Sequence, residues 1–318
     1  MKGNWRLLDS VVSALAPAIW GSTYLVTTEF LPPGRPLLAA TARALPAGLV
    51  LLAFGRVLPR GIWLWRAFVL GTLNIGAFFV LLFVAAYRLP GGVAALTGSI
   101  QPMLVLVLAA LLLKDRIRPI HVVTCVLGVV GVGLLVLKST VRLDLVGVLA
   151  ALGGAVCMAS GIVLTKRWKE RPVGVLLFTG WQLTAGGLVL LPVLFAFEGL
   201  PSQINGTNLA GYVYLIVLGS LVGYSVWFRG VDKLPAVAVS FLGLVSPIVA
   251  TALGYLFLNQ VLSLMQLIGA IIIIGAIIVA QLTPVRKNPT PPSLPPADPA
   301  TPANPVDSVD PRPAAHTL

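Results

Sequence analysis

The amino-acid sequence predicts an all-α integral membrane protein, with ten transmembrane helices arranged as two inverted five-helix repeats. Three observations predict it. Apolar runs of about 20 residues, the length a helix needs to cross the hydrocarbon core, recur along the 318-residue chain. Hydrophobic residues make up 58% of it and charged residues only 10%, too little charge to cover a water-soluble protein of this size. The fourth apolar run also returns, in outline, as the ninth.

The ten runs fall near 10–29, 36–54, 64–86, 91–113, 119–137, 145–165, 173–197, 208–228, 234–257 and 264–282, joined by short connections. The first lacks a small-residue cleavage site and is long enough to span, so it reads as a membrane helix and not as a cleaved signal. Basic residues set the orientation. With the N-terminus inside, the inner segments hold 17 Lys and Arg, including Arg56, Arg60, Arg66, Lys166, Arg167, Lys169 and Arg171. The outer connections hold 4, Arg35, Arg88, Lys138 and Arg142, and Arg43 lies within a run. This excess predicts that both termini are cytoplasmic. It also accounts for the net charge of +12 without nucleic acid, because the charge sits in short loops. From Thr283 the chain becomes proline-rich and poorly hydrophobic, so residues 283–318 are expected to be a disordered cytoplasmic tail, with a docking peptide as the alternative.

Residues 89–113 and 234–258 align at an offset of 145, matching at Leu89/Leu234, Pro90/Pro235, Gly98/Gly243, Pro102/Pro247, Leu108/Leu253, Leu111/Leu256 and Leu113/Leu258. Five helices, an odd number, separate the two copies, so the second is inverted across the membrane. The predicted repeats are residues 1–138 and 139–282. Inverted repeats are characteristic of secondary transporters, with the substrate site between the halves. Pro102 and Pro247 are candidate hinges: each is expected to remove a helical hydrogen bond, with Gln101 and Ser246 beside the freed carbonyls.

The first run contains IWGSTYLV, the second ATARALPAGLVLL around Arg43, and the fourth LPGGVAALTGSIQPMLVLVLAALLLKDRI. In this order and spacing, residues 10–282 resemble the drug/metabolite transporter superfamily of the EamA type. VTTEFLPPGRPLLAA and NIGAFFVLLFVAAYRLPGGVAA are most similar to PecM-like exporters. The resemblance implies a ten-helix inner-membrane exporter of small metabolites such as amino acids, pigments or drugs. The chain departs from the family after runs four and nine, where a Gly-Glu pair is replaced by Lys114-Asp115 and Asn259-Gln260. The first keeps a carboxylate and the second has none.

An ionisable group within a span is a functional candidate by default. Arg43 lies roughly 10 Å into run two at 1.5 Å per residue. It could bind a substrate carboxylate bidentately, or lock run two by pairing with Glu29 or with backbone carbonyls. Glu29 is either a solvated mouth residue or a titrating, proton-coupling carboxylate. Trp20, Thr23, Tyr24 and Thr27 share one helical face, which either lines a cavity or bonds back within the helix. Asn74 and Gln101 lie inside runs and need partners. Tyr224 is a cavity candidate, whereas Trp227 reads as an interfacial anchor. The candidate substrate cavity is thus Trp20, Thr23, Tyr24, Thr27, Arg43, Asn74, Gln101, Tyr224 and Ser246.

No cofactor or metal is expected. There are two histidines, His121 and His316, and the cysteines Cys125 and Cys157 fall in apolar runs as small buried residues. No Walker motif, His/Asp pair or carboxylate dyad is present, so neither ATP drive nor enzyme activity is expected. The predicted partners are a small-molecule substrate, the lipid bilayer and protons as the candidate coupling ion. The glycines Gly128, Gly131, Gly133, Gly269 and Gly275 suit internal packing, with a homodimer face as the alternative. The leading function is secondary export by alternating access; the alternative is a membrane sensor without net transport.

Overall fold

The computed structural model describes residues 2–89, 97–136, 144–201, 203–257 and 263–283, and these form helices and connecting turns with no strands. Pro90, Lys138, Arg142, the 138/139 repeat boundary, Asn259-Gln260 and the tail from 284 lie outside the described residues. Among the described residues, eight helices are long and apolar enough to cross a membrane: Leu7–Thr27, Pro36–Gly55, Ile62–Ala85, Leu145–Arg167, Val175–Phe197, Gly206–Lys233, Ala236–Phe257 and Leu264–Leu282. Two shorter apolar helices, Gln101–Leu113 and Pro119–Leu135, occupy runs four and five.

Five runs are irregular, and the irregularities recur. Run one is a helix from Lys2 to Gly21 that restarts at Thr23, after a turn in which the Ser22 amide bonds the Ile19 carbonyl at 3.1 Å. Run three passes from Ile62–Gly71 through a π-helical segment, Thr72–Ala77, into Phe78–Arg88. Run eight does the same: Gly206–Tyr214, π-helical Leu215–Val222, then Gly223–Lys233. Run four turns at Ser99 and Ile100 before Gln101–Leu113. Run nine turns at Gly243 and Leu244, between Ala236–Leu242 and Val245–Phe257. The offset of 145 carries the third run's π segment onto the eighth's and the fourth run's break onto the ninth's.

The prolines do not act as the sequence suggests. Pro102 and Pro247 sit in the first turn of a restarted helix, where a missing N–H has no helical partner to lose. The break itself is a tight turn: in run nine the Gly243 amide bonds Ser240 at 3.2 Å and the Leu244 amide bonds Phe241 at 3.1 Å.

The packing follows the same exchange. Run two packs on seven, five on ten, one on eight, three on six, four on six and nine on one. Replacing each run by its counterpart five places along leaves this pattern unchanged. Runs five and ten meet through glycine: a methyl on Gly269 would lie 2.6 Å from the Gly131 carbonyl oxygen, so both glycines are consumed by packing within the chain. The outer face of run ten presents Ile271, Ile274 and Ile278, as a lipid-facing helix does.

Ion pairs gather loops that the charge count placed on one side. At one end Asp9 accepts from Arg229 at 2.7 Å and Lys233 at 3.5 Å, and Asp232 pairs with Arg171 at 3.1 Å. At the other, Arg35 donates to the Glu198 carbonyl at 2.6 Å, and Asn208 donates to the Phe30 carbonyl at 2.8 Å. Glu198 Oε2 accepts the Leu37 and Leu38 amides at 2.6 and 3.2 Å, capping the helix that carries Arg43.

Candidate functional site

The irregular runs surround a cavity of about 620 Å³. Its wall takes Trp20, Thr23 and Thr27 from either side of the run-one break, Gln101 just after the run-four break, and Gly243 and Ser246 at the run-nine break. Phe78, Phe79, Leu82 and Phe83 follow the first π segment; Tyr224 and Trp227 follow the second. Arg43 and Met158 complete it from runs two and six. Leu31, Pro32, Pro33 and Gly34 wall it toward the Glu198 end, where Pro33 and Gly34 are exposed, so the cavity reaches the surface there. Non-helical backbone at membrane depth persists where it is buried in protein or lines such a space.

One backbone carbonyl organises the site. In an α-helix the Gly223 amide would bond Gly219; in the π segment it bonds Leu218 at the i−5 position and also Ser220. The Gly219 carbonyl accepts Trp20 Nε1 at 2.9 Å and Arg43 Nη2 at 3.2 Å. Three distant runs are therefore tied at one oxygen. Gly223 leaves room for the indole: a methyl there would lie 2.9 Å from Trp20 Nε1.

Aromatic rings fix the remaining geometry. Trp20 lies 4.8 Å from Tyr224 and 5.3 Å from Trp227, centroid to centroid, in tilted pairs. Phe79 sits edge-on to Tyr224 at 6.0 Å, and the Arg43 guanidinium lies 4.7 Å from the Phe79 ring centre. Arg43 is 3% exposed, with Phe79 and the Gly219 carbonyl as its recorded partners, both neutral. Arg43 Nε, Thr23 Oγ1, Thr27 Oγ1 and Trp227 Nε1 are buried without a hydrogen-bond partner among the described residues. Orphaned polar atoms in the wall of a cavity are places for a ligand or water to bond.

The structure brings Trp20, Thr23, Thr27, Arg43, Gln101, Tyr224 and Ser246 around one space. The side chain of Tyr24 lies outside the described residues. Asn74 is elsewhere: its Nδ2 donates to Gln182 Oε1 at 2.7 Å, a fully buried amide pair between runs three and seven. Glu29 is exposed and outside the lining, and no ion pair joins it to Arg43 among the described residues. Of the two partners expected for an arginine lock, the one present is a backbone carbonyl, that of Gly219 in run eight. Trp227 is no interfacial anchor; it is 1% exposed and lines the cavity. Phe78, Phe79 and Met158 were missed because apolar residues within an apolar run carry no signal of their own. Trp227 did carry one, its i+3 spacing from Tyr224.

The EamA-like transporter family matches the chain twice, over residues 10–137 and 145–281. The chain is 52% identical over 268 residues to Protein PecM of Dickeya dadantii (strain 3937), covering 84% of this chain and 90% of that protein. It is 32% identical to the WAT1-related protein At3g02690, chloroplastic, of Arabidopsis thaliana, over 84% of this chain and 68% of the relative. A solved crystal structure superposes with a TM-score of 0.75 at 22% identity, covering 86% of this chain and 96% of that one. The fold is shared.

Proposed function

The chain belongs to the EamA-like transporter family, and from that premise we propose that it is a secondary exporter of small amphipathic solutes in the bacterial inner membrane. It is a multi-pass membrane transporter with a small-molecule substrate. In this reading ten helices form two inverted repeats, 1–138 and 139–282, with both termini cytoplasmic. Substrate occupies the cavity walled by Trp20, Thr23, Thr27, Arg43, Gln101, Tyr224 and Ser246 and leaves by alternating access. The exchange-symmetric packing and the paired irregularities support the repeat. Under that orientation the Asp9–Arg229–Lys233 cluster closes the cytoplasmic side, while the cavity reaches the outer surface beside Pro33. The turns ahead of Pro102 and Pro247 are the hinges. Glu29, exposed at the outer mouth, is the candidate proton-coupling group.

The observation that carries the reading is the cavity's position, among broken and π-helical segments rather than between regular helices. Efflux from cells loaded with a panel of amphipathic metabolites tests it, with Arg43→Ala and Glu29→Gln at matched expression. Compound-selective efflux that Arg43→Ala abolishes is expected. Glu29→Gln is expected to uncouple efflux from the pH gradient. No efflux of any compound would favour a sensor without net transport.

A further inference from the structure

Arg43 differs from the cations that carry ion pairs at the ends of the bundle. Arg229 and Lys233 share Asp9, Arg171 has Asp232, and Arg88 has Asp144. Arg43 is buried with no carboxylate on it among the described residues, and the cavity lining contains neither Asp nor Glu. The Gly219 carbonyl and the Phe79 ring hold the guanidinium in place, with Tyr224 nearby, and none of the three is a carboxylate. An uncompensated cation at membrane depth is costly, and its Nε still lacks an acceptor. An anion entering from the mouth would supply both the charge and the acceptor, and a planar guanidinium suits a carboxylate bidentately.

The rest of the wall is largely apolar and aromatic. The Trp20 ring lies against those of Tyr224 and Trp227, and Phe79 meets Tyr224 edge-on, so the wall beside Arg43 is a cluster of tilted aromatic rings. An ammonium group finds no carboxylate here and meets the field of Arg43. We infer that the preferred ligand of this cavity is an aromatic monoanion, with its carboxylate on Arg43 and its ring among those of Trp20, Tyr224 and Trp227, in preference to a zwitterion or a cation. This rests on the cavity being the substrate site proposed above.

A ligand series with one ring and four charge states tests it on the purified full-length chain in nanodiscs. The probes are 3-(2-naphthyl)propionate, its neutral propanamide, 3-(2-naphthyl)alanine and 2-(2-naphthyl)ethylamine, measured by equilibrium dialysis with naphthyl fluorescence. The acid is expected to bind about tenfold or more tightly than the amide and the amino acid, with the amine weakest. Arg43→Gln is expected to bring acid and amide level. If that variant does not fold, the acid-to-amide ratio on the native chain decides alone. Equal binding of acid and amide, amine binding as tight as the acid, or no binding of any probe overturns the inference. Proteoliposome flux separates it from the transport reading. Acid bound preferentially but never carried would sink the transporter and leave the ligand class. Amine carried in preference to acid would sink the ligand class and leave the transporter.

Discussion

Runs three and eight each widen into a π-helical segment at matching positions, Thr72–Ala77 and Leu215–Val222, and the two segments serve opposite ends. The first is packed against protein, with Thr72 Oγ1, Asn74 Oδ1 and Gln182 Nε2 buried and unpartnered among the described residues. Asn74 points across to Gln182, Gly161 packs directly on the Asn74 carboxamide, and a methyl on Gly186 would lie 2.7 Å from the Gly71 carbonyl oxygen. The second is open. Its Gly219 carbonyl turns to Trp20 and Arg43 beside a cavity, and the Trp227 indole N–H one turn beyond is unpartnered among the described residues. A π segment is thus not a site in itself. It leaves polar groups outside the regular ladder, and the neighbouring runs decide whether these are buried against protein or offered to a ligand.

The largest effects expected on this contrast are on transport at the second segment. Arg43→Gln should lower flux at least tenfold with little loss of thermal stability, since the lost charge-assisted bond to Gly219 is offset by removal of an uncompensated buried cation. Flux assays in proteoliposomes alongside thermal unfolding in detergent would read both. Asn74→Leu should do the reverse: it strands the Gln182 amide in the bundle, costing about 1–3 kcal/mol, with flux per folded molecule retained. If Asn74→Leu stopped transport while leaving the fold intact, the division between the two segments would collapse.

Gly161→Ala should destabilise by a similar 1–3 kcal/mol through overpacking on Asn74. Adding Asn74→Ala should recover part of that loss, a coupling that unfolding midpoints of the double mutant would reveal. Gly223→Ala presses a methyl toward the Trp20 indole. Its expected outcome is a several-fold loss of flux with a smaller loss of stability, because the indole can tilt away at the expense of its bond to Gly219.

The smallest effect lies at the cap of run two. Burial pushes the Glu198 carboxyl up from its usual range, opposed by the Leu37 and Leu38 amides and by Arg35. A carboxyl with a raised folded pKa binds more protons folded than unfolded, so its contribution to stability improves as pH falls through that range. Unfolding midpoints between neutral and mildly acidic pH should show this slope, and Glu198→Gln should flatten it.

The candidate site was partly legible. The i, i+3, i+7 face of Trp20, Thr23 and Thr27 and the lone intramembrane Arg43 are visible as polar exceptions in apolar runs, and they do meet in one cavity. Asn74 was just as visible and went elsewhere, because its Nδ2 finds an acceptor in Gln182 Oε1 across the bundle rather than in a ligand. Glu29 and backbone carbonyls were both open as partners of Arg43 from sequence. The acceptor proved to be a carbonyl, 176 residues away in sequence.

By itself the sequence determined the membrane class, the positions of the apolar runs and the grouping of loops into two ends. Hydropathy and loop charge are local quantities that sum residue by residue, so they can be read without knowing who touches whom. Only the tertiary structure decided which polar group is free. That Gly219 rather than Glu29 holds Arg43, that Trp227 is buried in a cavity wall, and that one π segment is closed and the other open depend on contacts between distant runs. A hydrogen bond is made or lost by a fraction of an ångström, and no composition records that.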